Sequence, residues 1–261
     1  MPSVRQSDRS SDGTGEREVA LSLLPHASVA VVRAVDRLAD DEWSTPSLLP
    51  GWSRAHVVAH LALNAEGLAR CLRGVVAEEA DDQVDDQEGD EPRTMYESDE
   101  QRDRDIGDLA ASAPNRIRDR LLAATTTFEH AVGAVPDGLW DARVERTPGG
   151  RTMRAGSLPG MRVRELEIHQ VDLAAGYTTA DWSPVFSTLL LDAMARRLRP
   201  ETRLTIRPLD VDRTWVVGPD TGDSGPIVTG PAADIGWWLT GRPPPAAVSC
   251  SRGELPSIEG W

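Results

Sequence analysis

The chain has 261 residues, 39% of them apolar and only 5% aromatic, which suits one large domain or two modest ones with a core of Leu, Val and Ala. Its formal net charge of −14 argues against general nucleic-acid binding, because a phosphate backbone needs a basic surface. All 28 basic residues are Arg, a bias that reads as GC-rich coding.

Residues 1–14 are rich in Ser, Asp, Arg and Gly and are expected to form a disordered tail. They hold no apolar core of a signal peptide. No window approaches 18 uninterrupted apolar residues, so no membrane span is expected. From Glu16 to Ala39, apolar residues recur at helical spacing, with Pro25 expected to kink the helix or mark its first turn. Trp43 to Trp52 is a connector. Ser53 is a good N-cap for a second helix with the apolar face Val57, Val58, Leu61, Ala65, Leu68 and Leu72. His56, His60 and Asn64 lie along one edge of that face. Glu78 to Glu91 holds nine acidic residues; such a block self-repels, so 78–92 is expected to be an acidic insertion loop.

Ser98 caps a third helix running to about Ser112, and Pro114 opens a fourth ending near Pro136. Thr147 to Gly150 (TPGG) is a turn. Met161 to Tyr177 (MRVRELEIHQVDLAAGY) is a further helix. Residues 15–180 therefore read as an up-and-down helical bundle. The pattern then changes. Pro184 to Leu198 is a helix, while Thr202–Leu209 and Arg213–Gly218 alternate at period two, as strands do. Ile227–Thr229 is a short strand, Pro231–Thr240 a helix, and Ala246–Cys250 a last strand. Residues 184–261 read as a small α+β domain, and the whole chain as α+β.

Glu165 and His169 are four residues apart, so on a helix they share a face about 6 Å apart along the axis. A carboxylate and an imidazole at that spacing can bind one metal ion. They can equally be a surface contact, with Arg162 and Arg164 as salt-bridge partners for Glu165. His60 lies deeper in the apolar run of its helix than His56. Should the two helices meet, His60, Glu165 and His169 make a three-ligand set with an open position. Two histidines and a carboxylate suit catalytic zinc, and non-haem iron uses the same donors. Asp172 is one turn beyond His169 and could orient a ligand, act as a base or contact substrate. Arg242, at a helix end before three prolines, is either a C-terminal cation favouring the helix dipole or a clamp for a carboxylate. Cys71 and Cys250 have no metal or redox spacing, which fits free thiols in a reducing cytoplasm.

Four separated stretches, LLPGWSRAHVVAHLALNAEGL (Leu48–Leu68), MYESDEQRDRDI (Met95–Ile106), MRVRELEIHQVDLAAGY (Met161–Tyr177) and WLTGR (Trp238–Arg242), resemble in order the mycothiol-dependent maleylpyruvate isomerases. These belong to the wider DinB-like metal-binding bundles. The resemblance implies an N-terminal DinB-like bundle and a C-terminal domain similar to sterol-carrier proteins. It places the family's zinc ligands on His60, Glu165 and His169, and its functional Asp and Arg on Asp172 and Arg242. It implies a cytoplasmic cis-trans isomerase that turns maleylpyruvate into fumarylpyruvate. A thiolate adds to the alkene, the resulting single bond rotates, and elimination follows. No Cys lies in these motifs, so the sulfur comes from a small thiol, which the resemblance implies is mycothiol. Other readings are a mycothiol-dependent S-transferase and a non-catalytic metal-binding protein on the same bundle. The expected partners are a small carboxylate substrate and a low-molecular-weight thiol, with no nucleic acid or membrane, and the protein is expected to be a monomer.

Overall fold

The computed structural model describes residues 8–81, 93–220, 222 and 224–258. The chain divides into two compact units, residues 1–176 and 177–261. The expected tail lies partly outside the described residues, and helix is already present from Asp8. Most of the expected acidic loop also lies outside them.

The first unit is built on five helices among the described residues. They are α1 (Asp8–Asp36), α2 (Arg54–Asp81), α3 (Asp99–Ala110), α4 (Pro114–Gly133) and α5 (Leu158–Asp172). Helix α1 buries Ala20, Leu24, Ala27, Val31 and Val35, spaced three or four apart, and packs on α5. Pro25 sits inside this helix without ending it. The ring is exposed, and Leu21, whose carbonyl loses its amide partner, is half-exposed. Against the expectation that no segment could span a membrane, Thr14–Asp36 is long and apolar enough to do so by length and composition. Its apolar stripe faces α5, as in a core helix.

Helix α2 is the centre of the unit and packs on α3, α4 and α5. Its face Val57, Val58, Leu61, Ala65, Leu68 and Leu72 is fully buried. Ser53 precedes it and directs its hydroxyl to His56 Nδ1 at 2.8 Å. Ser98 caps α3 by accepting from the Gln101 amide at 3.0 Å, and Pro114 opens α4.

A small sheet escaped the sequence reading. It consists of β1 (Arg93–Thr94), β2 (Arg143–Glu145) and β3 (Thr152–Arg154), in that order. The TPGG turn joins β2 to β3, with Gly149 in the left-handed region (φ 68°). The chain leaving β1 runs against α2. A Cβ on Gly67 would meet the Met95 carbonyl oxygen at 3.0 Å, and Arg70 Nη1 donates to that same oxygen at 3.1 Å. This close approach sets the position of Tyr96.

The second unit holds α6 (Pro184–Arg197), β4 (Leu204–Pro208), β5 (Trp215–Val217), β6 (Ile227–Gly230), α7 (Ala232–Leu239) and β7 (Ser249–Cys250). Its sheet has the order β5-β4-β6-β7, with β4 and β6 parallel and the other pairs antiparallel. Helices α6 and α7 pack together where Gly236 makes room for Leu190.

Candidate metal centre

Four polar residues lie along one face of α5: Arg162, Glu165, His169 and Asp172, at successive spacings of three, four and three. Helix α2 offers His60 and, one turn on, Asn64. The two faces meet. His60 Nε2 lies 2.8 Å from Glu165 Oε2, and His169 Nε2 lies 3.2 Å from the same oxygen. The two imidazole rings are edge to face, with centroids 4.7 Å apart. One donor atom from each of His60, Glu165 and His169 falls within 4.8 Å of the others. Among the described residues this is the group that could hold a metal ion.

All three are withdrawn from water, and each responds differently. Burial pushes His60 down to about 4, and the hydrogen bond to Glu165 only partly offsets it. Burial would raise Glu165, but the hydrogen bonds to His169 and His60 outweigh it and hold its carboxyl well below the usual carboxylate range. Burial would lower His169, yet the bonds to Asp172 and Glu165 win and raise it. Asp172 is fully buried and its Oδ2 lies 2.8 Å from His169 Nδ1. A carboxylate at Nδ1 requires a proton there, which leaves Nε2 as the atom aimed at Glu165.

The end of α5 is anchored where Asp172 sits. The helix stops there rather than running to Tyr177 as the sequence suggests, because Ala174 and Gly176 adopt positive φ. The Leu48 amide donates to the Asp172 carbonyl at 2.9 Å, while Arg54 Nε and Nη2 cap the Leu173 and Ala174 carbonyls.

Three neighbours, Trp52, Arg102 and Tyr96, were not singled out from sequence, and a fourth, Arg162, was expected in another role. Trp52 packs edge-on against His60, with centroids 5.7 Å apart. Arg102 Nη2 reaches His60 Nδ1 at 3.3 Å. The Tyr96 phenol, raised by burial, has Arg102 and Asn64 beside it. Arg162 is wholly buried and donates to α2. Tyr96 and Arg102 both fall in MYESDEQRDRDI, the one signal that could have drawn attention to them. The expected partners of Glu165 need correcting. Arg164 pairs with Glu16, and Arg162 hydrogen-bonds the Leu61 carbonyl and Asn64, so the direct partners of Glu165 are the histidines. His56 is half-exposed, and His26 and His130 are exposed.

Arg242 belongs to the second unit. Its guanidinium lies 5.2 Å from the centre of the Trp237 ring, and Nη1 donates to the Thr240 carbonyl at 3.3 Å. It lines a cleft of about 350 Å³ with Trp238, Pro243, Pro244, Leu255 and Ile258 among the walls. Trp237 and Trp238 are buried and serve as packing.

Residues 24–174 match the family model described as the mycothiol maleylpyruvate isomerase N-terminal domain. The chain belongs to this family. Members of known structure extend the likeness beyond the matched segment. The crystal structure of the mycothiol-dependent maleylpyruvate isomerase superposes with a TM-score of 0.79 at 26% identity, covering 94% of this chain and 97% of that one. A histidine-to-alanine mutant of the mycothiol-dependent maleylpyruvate isomerase gives 0.78 at the same identity and coverage. No curated protein sequence matches the chain. The family's α+β architecture is therefore shared across both units, each in its own right.

The donor set fits a divalent metal. Two imidazoles and one carboxylate converge from two rigid helices, and the second nitrogen of His169 is already bound by a buried carboxylate.

Proposed function

We propose that this protein is a zinc- and mycothiol-dependent isomerase that converts maleylpyruvate to fumarylpyruvate. One observation carries the reading: His60, Glu165 and His169 converge in a fold that matches a mycothiol-dependent maleylpyruvate isomerase over almost its whole length.

His60, Glu165 and His169 would hold the zinc, which would then be open to an outside sulfur. Bound there, zinc and mycothiol supply a thiolate at neutral pH, whose reversible addition makes the substrate's double bond single and free to rotate. Asp172 keeps the proton on His169 Nδ1 and so keeps Nε2 directed at the centre. Arg242 binds a substrate carboxylate through its planar fork and opposes the enolate charge that develops on addition. Cys71 is poorly suited to the nucleophile's part, because burial pushes its thiol up to about 12. Neither Cys71 nor Cys250 is in a disulfide, which supports a reducing, cytoplasmic setting.

The test is turnover. Recombinant protein loaded with zinc and given mycothiol is expected to isomerise maleylpyruvate, followed by the absorbance of the product. No turnover under those conditions removes the isomerase. Conjugation of other electrophiles in its place would move the reading to a mycothiol S-transferase on the same centre.

A further inference from the structure

Arg162 has no part in the chemistry above, yet it heads the largest fully buried side chains, with 0% exposure. A guanidinium is costly to bury, and an apolar side chain of similar volume would pack two helices with less penalty. Burial draws it down to about 10, so it stays charged at neutral pH. Two of its nitrogens, Nε and Nη2, find no hydrogen-bond partner among the described residues. The remaining nitrogen, Nη1, donates to the Leu61 carbonyl at 2.7 Å and to Asn64 Oδ1 at 3.0 Å.

The placement of these bonds explains the expense. Leu61 follows His60 on α2, and Asn64 stands one turn beyond it. Arg162 stands one turn before Glu165 on α5. The bonds therefore join the two ligand-bearing helices at the turn next to the triad. Apolar packing leaves helices free to slide by fractions of an ångström. Metal–nitrogen and metal–oxygen bonds of about 2.0–2.2 Å do not tolerate that slack. A second path leads back to the same ligand. Asn64 contacts the Tyr96 phenol, the phenol contacts Arg102, and Arg102 Nη2 reaches His60 Nδ1 at 3.3 Å.

We propose that Arg162 is a positioning residue for the metal centre: it fixes His60 against Glu165 and His169, through the α2 backbone and through Asn64, Tyr96 and Arg102. The proposal rests on the reading that the triad holds a divalent ion.

The experiment uses cobalt(II) as the probe, titrated into the metal-free full chain. Wild type is compared with Arg162→Lys, Arg162→Met and Asn64→Leu. Affinity is read from the titration, and coordination from the visible d–d bands. Wild type is expected to bind one equivalent with a tetrahedral spectrum. Arg162→Met is expected to bind ~10-fold or more weakly, with shifted bands, as is usual when support behind a ligand is removed. Asn64→Leu moves in the same direction by less, and Arg162→Lys recovers part of the loss. A folded Arg162→Met with wild-type affinity and bands overturns the proposal. Should Arg162→Met fail to fold, wild-type affinity and bands in both Arg162→Lys and Asn64→Leu overturn it as well. A wild type that takes up no cobalt overturns the metal reading itself, an outcome distinct from the others.

Discussion

Asp172 Oδ2 lies 2.8 Å from Nδ1 of His169, one turn earlier on the same helix, and Asp172 is completely buried. The pair acts as a unit. The carboxylate orients the ring, selects its tautomer and makes Nε2 a better donor. Replacing Asp172 by Asn keeps the shape and removes the charge. Metal affinity is expected to fall ~10- to 100-fold, measured by competition with a chromogenic chelator. Unchanged affinity would show that Asp172 serves the substrate rather than the ligand.

His60→Ala and Glu165→Gln each remove one of the three converging donors. Both are expected to reduce bound zinc from one equivalent to a small fraction after dialysis, measured by atomic absorption, and to abolish turnover. Glu165→Gln also removes the carboxylate that sits between the two imidazoles. Full zinc content in either variant would refute the ligand assignment.

Acid should destabilise the metal-free protein through His60. Its folded value of about 4 lies below the ordinary 6.5. Between those values the unfolded chain takes up a proton that the folded chain refuses. Its contribution is therefore complete above pH 6.5 and is lost as pH falls through about 4. His169 has the opposite sign: its folded value is raised, so its contribution is complete below 6.5 and is lost as pH climbs through that raised value. Urea denaturation at pH 4.5 and 7 is expected to show a smaller acid loss in His60→Gln than in wild type. Equal losses would contradict this account.

Arg242 is expected to act on substrate and leave the metal alone. Arg242→Lys keeps a charge but loses the planar fork. We expect kcat/KM for maleylpyruvate to fall ~10-fold or more in Arg242→Lys and further in Arg242→Gln, with zinc content unchanged in both, since a lost bond to a charged partner is worth about 1.5–3 kcal/mol. Turnover like that of wild type in Arg242→Gln would return the residue to its alternative role at a helix end.

The thiols give an independent check on the source of the sulfur. Cys71 is buried and pushed up to about 12, whereas Cys250 is partly exposed. Alkylation of the native protein is expected to modify Cys250 and spare Cys71. The double variant Cys71→Ala, Cys250→Ser is expected to retain mycothiol-dependent turnover. Loss of chemistry in a folded double variant would place the nucleophile on the protein.

What the sequence determined by itself is what depends on neighbours along the chain. Helical spacing placed the helices, Ser98 and Pro114 marked two of their starts, and the alternation in TRLTIRPL marked a strand. The i,i+4 spacing of Glu165 and His169 also fixed their common face, because helix geometry alone does so. Tertiary structure decided the rest. His60 and Glu165 are 105 residues apart, and only the packing of α2 on α5 brings them to 2.8 Å. It also decided which way each arginine points. Arg162 and Arg164 both neighbour Glu165 in sequence, yet one turns into α2 and the other reaches Glu16 on α1. Strands β1 and β2 pair in parallel from segments of two and three residues, too short to show any period. Local pattern fixes which face of a rod is apolar. Which rods share that face, and which polar groups are trapped between them, follows only once the whole core is closed.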